Sequence, residues 1–445
     1  MTSVQLPQEI YDEIIYHLHR DPTTLRATAL AHRALLSTAQ KCLFAHIVLF
    51  PPAIPGHLTT ASRLHRHLIN APHLGRYVDR LDLHICAGRA QWKGWAALAD
   101  VLPALPFLSA LGVHVDQSLG WESSFLRLPP TSGADTSRIV SALAGALVRR
   151  TLVHLDTHCV DTALLLPHAH YIRELTLSAP ITPAAGAAQG RAEGLPGEVV
   201  LLEGLRIENT FDLLEYYPYM LREALRAQGI AVGGLRRLSM MYHGYHAARC
   251  LEEMLGILEE CNGVLEELEI DVRVTANGEG ATDAPVYVLM NAIDLNTLVQ
   301  YKASALLPSL RVLHIHLHPH DAANAPDDPR ALITALGSFL RALNTPSSGS
   351  LVRLALTDHG ALGDGAGADV WLPLFRDVLG DARHFPSLRV VSLQGEGAGM
   401  DALYAAAVAL PYELRAGPGW CPQRRSGGVR DDSGGRALML DYRVP

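Results

Sequence analysis

One pattern constrains this chain more than any other: an apolar residue, two variable residues, an apolar residue, one variable residue, an apolar residue. It occurs at Val78/Leu81/Leu83, Leu108/Leu111/Val113, Ile172/Leu175/Leu177, Leu202/Leu205/Ile207 and Leu235/Leu238/Met240. It returns at Leu265/Leu268/Ile270, Leu310/Leu313/Ile315, Leu351/Leu354/Leu356 and Leu388/Val391/Leu393, with a weaker copy at Leu152 and Leu155 that ends in Thr157. Alternation in the second half of each copy specifies a short strand with one buried face. Stretches of helical period lie between copies, most clearly at 137–149, 213–227, 247–261, 331–343 and 371–379. A strand and a helix of this size cannot bury a core alone, so successive units must stack.

The fold class is therefore α/β, an irregular leucine-rich-repeat-like α/β solenoid, or horseshoe, over 48–410. Successive copies usually lie about 30 to 45 residues apart, longer than the roughly 20 to 29 of typical leucine-rich repeats, so long outer helices and loops are expected. The loops fall at 117–135, 178–197, 276–284, 319–328 and 358–367. The tail, 411–445, is expected to be partly disordered, its Gly-, Arg- and Ser-rich 417–435 especially, with a final strand within 437–444.

Residues 1–47 form a small all-helical segment ahead of the repeat. Pro7 and Glu9 open a first helix in which Ile10, Ile14 and Leu18 recur every four residues, with Leu6 just upstream. Asp21-Pro22 is an N-cap followed by a proline at the first helical position, leading into Leu25, Ala29 and Leu30. A third helix carries Leu35, Leu36, Ala39 and Leu43.

This order of residues resembles the F-box, in the form found at the N-terminus of many fungal proteins. The match runs through Leu6-Pro7 with Glu9 and Ile10, Ile14, Leu18, the Asp21-Pro22-Thr23-Thr24-Leu25 turn, Leu30, Arg33 and Leu43-Phe44, and continues through 71–83. The resemblance implies docking to the Skp-type adaptor of a Skp-cullin-F-box ubiquitin ligase, through Leu6, Pro7, Ile10, Ile14, Leu18, Leu25, Leu30 and Leu35. The same helices also suit a terminal cap that covers the open end of a repeat array.

Net charge is −8, from 37 basic and 45 acidic residues, which argues against nucleic acid and anionic membranes as partners. The first residues lack a secretory leader, no apolar run reaches the roughly 18 residues that span a bilayer, and six scattered cysteines lack CxxC spacing. A soluble protein of the cytoplasm or nucleus with reduced thiols is expected.

Catalytic templates fail: the chain holds no GxxxxGK, GxSxG or HExxH. Gly395-Glu396-Gly397-Ala398-Gly399 follows a strand, but its third glycine comes one place early for a dinucleotide fingerprint. His314, His316, His318 and His320 form the densest histidine cluster. Residues two apart on a flat strand converge poorly on a metal, so no metal and no cofactor is assigned, and a metal-dependent enzyme built on 314–320 is the least favoured reading. Function is instead expected on the concave strand face, at Arg80, Asp82, His84, His154, Asp156, Arg206, Arg237, Glu267, Glu269, Asp271, His314 and His316. The chain is thus expected to be a non-enzymatic substrate-recognition subunit that binds a protein substrate there; the alternative is a leucine-rich interaction scaffold with no ligase role.

Overall fold

The computed structural model describes residues 7–19, 21–50, 60–86, 95–116, 134–158, 160, 165–178, 199–209, 221–242, 247–273, 307–318, 329–343, 350–358, 368–379, 385–388, 390–395, 423–424 and 440–441. The five expected loops and the glycine turn after 395 lie largely or wholly outside these residues. The protein is mixed α/β and divides into two compact units, residues 1–200 with 224–230, and residues 201–223 with 231–445.

The first unit opens with α1 (Gln8–His17), α2 (Pro22–Ala31) and α3 (Arg33–Phe44). Asp21 caps α2 as its sequence demands, its carboxylate accepting from the Thr23 and Thr24 amides at 3.0 Å. His32 does the same for α3, accepting from the Ala34 amide at 3.1 Å. α3 packs against both other helices around Ile15, Leu25 and Ala39, with Leu18, Ala29, Leu35, Cys42 and Leu43 against that core. Of the four-residue-spaced stripe Ile10, Ile14 and Leu18, Leu18 alone packs on this core. Ile15 enters the core, while Ile10 and Ile14 remain 47% and 52% exposed.

Five parallel strands follow: β1 (His46–Leu49), β2 (Arg80–Cys86), β3 (Ala110–Asp116), β4 (His154–His158) and β5 (Glu174–Leu177). Between them come α4 (Ala61–Asn70), the single turn α5 (Leu98–Val101) and α6 (Ala134–Leu147), packed in that order. The short ribbon β6 (Val200–Leu201) with β8 (Ile230–Ala231), and α7 (Leu221–Ala227), lie later in the chain.

The second unit holds six parallel strands: β7 (Gly204–Asn209), β9 (Arg237–Tyr242), β10 (Glu267–Arg273), β11 (Val312–His318), β12 (Arg353–Asp358) and β13 (Val390–Gly395). Its helices are α8 (Ala247–Glu260), α9 (Pro329–Leu343) and α10 (Ala368–Pro373). Pro373 has no N–H to continue an α-helical ladder, and the chain widens after it into a π-helical turn at Leu374–Leu379. In the tail, β14 (Gln423–Arg424) pairs antiparallel with β15 (Leu440–Asp441); β15 lies within 437–444, where a last strand is expected, whereas β14 lies within 417–435, where disorder is expected and the pairing supplies a strand instead.

Most neighbouring repeats are locked together by a backbone device at the second position of the motif. The carbonyl of Asp79 accepts from the amides of both Ser109 and Ala110, that of Ser109 from Val153 and His154, and that of Val153 from Arg173 and Glu174. In the second unit the carbonyls of Glu203, Arg236, Glu266 and Arg311 do the same to the repeats that follow them. The device itself uses only backbone atoms, so it tolerates different side chains there, some of which add their own bonds, Ser109 to Asp79 and Arg236 to Glu266. The motif's apolar positions from Val78 to Leu356 are all at most 5% exposed, each contributing about 1.5–3 kcal/mol of burial. Thr157 takes an apolar slot and is fully buried; its hydroxyl donates to the Thr176 carbonyl at 3.2 Å.

Candidate functional site

Alternation places one outward residue per strand, most of them polar, between the two buried positions, and parallel register aligns these residues into rows. In the second unit one row runs Arg206, Ser239, Glu269, His314, Ala355, Ser392. The next runs Glu208, Met241, Asp271, His316, Thr357, Gln394, the pairing read through strands of common register.

Glu269 is the centre of this face. Its Oε1 receives His316 Nε2 at 2.9 Å and lies 3.2 Å from His314 Nδ1. Its Oε2 accepts from the Ser239 hydroxyl at 2.6 Å and lies 3.6 Å from the Arg206 guanidinium. Arg206 in turn donates to Glu208 at 2.6 Å, and His314 Nε2 shares a hydrogen bond with the Thr357 hydroxyl at 2.8 Å. The two imidazoles lie 4.0 Å apart, centroid to centroid. Hydrogen bonds from His314 and then His316 hold the Glu269 carboxyl well below the usual range; burial opposes them, and Ser239 and Arg206 add to them. The residue is a fixed anion at any ordinary pH.

The flat-strand argument against convergence therefore meets a different arrangement. His314 and His316 do not point at each other's ligand; both lean toward a third group supplied by β10. Asp271 belongs to the same face and is buried, whereas Arg237 and Glu267 form an exposed register pair one row before Glu269.

A second polar row crosses the first unit: Val48, Asp82, Gly112, Asp156, Thr176. His46 donates to Asp82 at 2.6 Å, Arg80 Nε donates to both carboxylate oxygens of Asp82 at 3.0 and 3.1 Å, and another Arg80 nitrogen reaches Asp156 at 3.3 Å. Burial raises the Asp82 carboxyl, but the hydrogen bonds and charges of Arg80 and His46 outweigh it and hold the group below its ordinary value. The Arg80 bridge passes β3 at Gly112, where an added Cβ would stand 2.3 Å from Asp82 Oδ1. Further along, His84 stacks between Phe50 and His114 with centroids 4.9 Å from each, and His158 follows His114 at 6.1 Å. His154 is half-buried at the start of β4.

Sequence reasoning missed His46 and His114 as members of this row system. Aligning the motif copies finds His114, which stands two residues past Gly112 in the register of His84 and His158. His46 precedes the first copy and carries no such signal.

Of the proposed adaptor contacts, Pro7, Ile10, Ile14 and Leu30 are exposed, Leu30 to 89%. Leu18 and Leu35 pack on the trio's core, Leu25 lies inside it at 1% exposure and is not an outer contact, and Leu6 lies outside the described residues. Cys261 is buried and its thiol is pushed up to about 11 by burial, the opposite of an activated nucleophile. Among the described residues no helix is long and apolar enough to cross a membrane. No protein-family model matches the chain, and comparison with curated proteins returns no match.

Proposed function

We propose that the chain is a non-enzymatic substrate-recognition subunit of a Skp-cullin-F-box ubiquitin ligase. Its N-terminal helices dock on the Skp-type adaptor, and the polar strand face binds a protein substrate. The observation that carries the reading is that α1 satisfies its own core with Ile15 and still presents Ile10 and Ile14, one turn apart, to solvent, while Leu30 on α2 is also exposed. Apolar residues that a small domain does not need for itself are the material of a docking surface. The leucine-rich-repeat-like part supports the second half of the reading, since the variable residues that alternate with its buried strand positions share one strand face in rows that carry both charges, which favour encounter and discrimination over raw affinity. Proximity is then the chain's whole contribution to ubiquitin transfer.

One observation favours a scaffold whose helices only cap the repeat. The Ala45 carbonyl after α3 accepts from the amides of Asp79 and Arg80, and Ser37 meets Tyr77 at 3.4 Å, so the trio is fastened to the first repeat. Pull-down of a purified Skp-type adaptor by wild type and by Ile10→Asp and Leu30→Asp variants separates the two. Capture by wild type and its loss in the variants, with unchanged circular dichroism, is expected for a ligase receptor; no capture by folded wild type leaves the scaffold.

A further inference from the structure

We infer that Glu269, His314 and His316 form a site for one divalent cation of the zinc class, with a fourth coordination position open on the polar strand face. The three residues each offer a ligand atom, and these atoms all lie within 4.8 Å of one another. Two donors held tetrahedrally at about 2.0–2.1 Å from a zinc ion stand about 3.3 Å apart. Glu269 Oε1 is 3.2 Å from His314 Nδ1 and 2.9 Å from His316 Nε2, so the ion needs only a small opening between the carboxylate and each ring.

The surrounding bonds sort the donor atoms as a metal requires. Oε2 of Glu269 is taken by Ser239, which leaves Oε1, the oxygen that faces both imidazoles, as the ligand atom. Thr357 holds the far nitrogen of His314 and fixes its ring plane; partners of this kind orient ligands and raise their basicity. Cation entry displaces the proton from the ring nitrogen that faces Oε1: in a neutral imidazole it moves to the other ring nitrogen, and an imidazolium releases one proton to solvent. His314 then binds through Nδ1 and carries its remaining proton on Nε2, donating it to the Thr357 oxygen. The Arg206 charge does not forbid the ion, because Arg206 stands on the Oε2 side and is also paired with Glu208. Two imidazoles and one carboxylate are a donor set of the zinc type, and three protein ligands leave a position for water or for a side chain of a bound protein. The site does not depend on the ligase reading, since its three ligands all lie on β10 and β11 of the second unit.

The test uses the full chain, stripped with a chelator and titrated with Co²⁺ as a spectroscopic stand-in, then with Zn²⁺. The expected result is one Co²⁺ per chain with the intense visible bands of a tetrahedral ion, bleached by Zn²⁺. Glu269→Gln and His316→Ala should each weaken binding by at least about tenfold, and Thr357→Val by about 10- to 100-fold, whereas exposed His170→Ala should leave it unchanged. Should a ligand variant fail to fold, the wild-type spectrum and Thr357→Val, which keeps all three ligands, decide the matter. Absence of stoichiometric binding to folded wild type, or a six-coordinate spectrum indifferent to Thr357→Val, overturns the inference.

Discussion

Alanine at position 112 should destabilise the protein although glycine in a strand is ordinarily the weaker residue. Replacing a strand glycine with alanine is worth about 0.5–1 kcal/mol in favour of folding where the backbone allows it. Here the new Cβ would stand 2.3 Å from Asp82 Oδ1, 3.0 Å from Asp82 Cγ and 2.8 Å from His114 Nε2. The carboxylate cannot simply swing aside, since Arg80 holds both of its oxygens and His46 holds Oδ2 at 2.6 Å. Hydrogen bonds to charged groups are worth about 1.5–3 kcal/mol, reduced here because Arg80 and His46 are partly exposed to screening solvent. Set against the backbone gain, the net expectation for Gly112→Ala is a loss of about 1–3 kcal/mol. Denaturant unfolding followed by circular dichroism measures it, and a double-mutant cycle isolates the cause. In an Asp82→Ala background the carboxylate is gone and only His114 Nε2, the end of a rotatable side chain, still stands 2.8 Å from the new Cβ, so the cost of Gly112→Ala should fall to near zero or become a gain. Equal effects of Gly112→Ala in both backgrounds would refute the reasoning.

Leu268→Ala should cost about 2–5 kcal/mol, because the residue is buried in a strand with neighbours on both sides; an unchanged melting transition would contradict its place in the core. On α1, Ile15→Ala should cost a similar amount while Ile14→Ala stays within about 0.5 kcal/mol. The reverse order in thermal melts would mean the helix is rotated. In metal-free buffer, Glu269→Gln should be less stable than wild type at neutral pH, since the native pairing depresses the carboxyl's pKa and its stabilisation is full above the unfolded value. That gap should narrow as pH falls below about 4.3, the ordinary glutamate value, toward the depressed native one. A gap as wide at strongly acid pH as at neutrality would show that Glu269 is not the linked group.

The repeat was legible because burial in a parallel stack imposes the same three apolar positions on each strand, and the chain repeats them from Val78 onward. Even the exception at Thr157 is explained locally, by a hydroxyl that finds a carbonyl. The polar rows were legible as far as alternation goes, and Arg206, Glu269 and His314 fall into one row once motif copies are aligned. The lean of His316 back toward Glu269 was not, because it depends on a side-chain rotamer and on Ser239 fixing the carboxylate from the other side. In the helical trio, periodicity found a stripe but not its direction. Neighbouring residues on a helix differ by about 100°, and the choice of Ile15 over Ile14 is made by Leu25 and Ala39, which the pattern of α1 alone does not contain.

The most direct measurement on the central claim is a calorimetric titration of the full chain with a purified Skp-type adaptor, run beside Ile14→Asp and Ile69→Asp. Both substitutions fall at exposed isoleucines, one on α1 and the other on α4, so each should leave the melting transition intact. The account predicts one-to-one binding for wild type and Ile69→Asp and none for Ile14→Asp. Binding unaffected by Ile14→Asp, or absent from folded wild type, would contradict it.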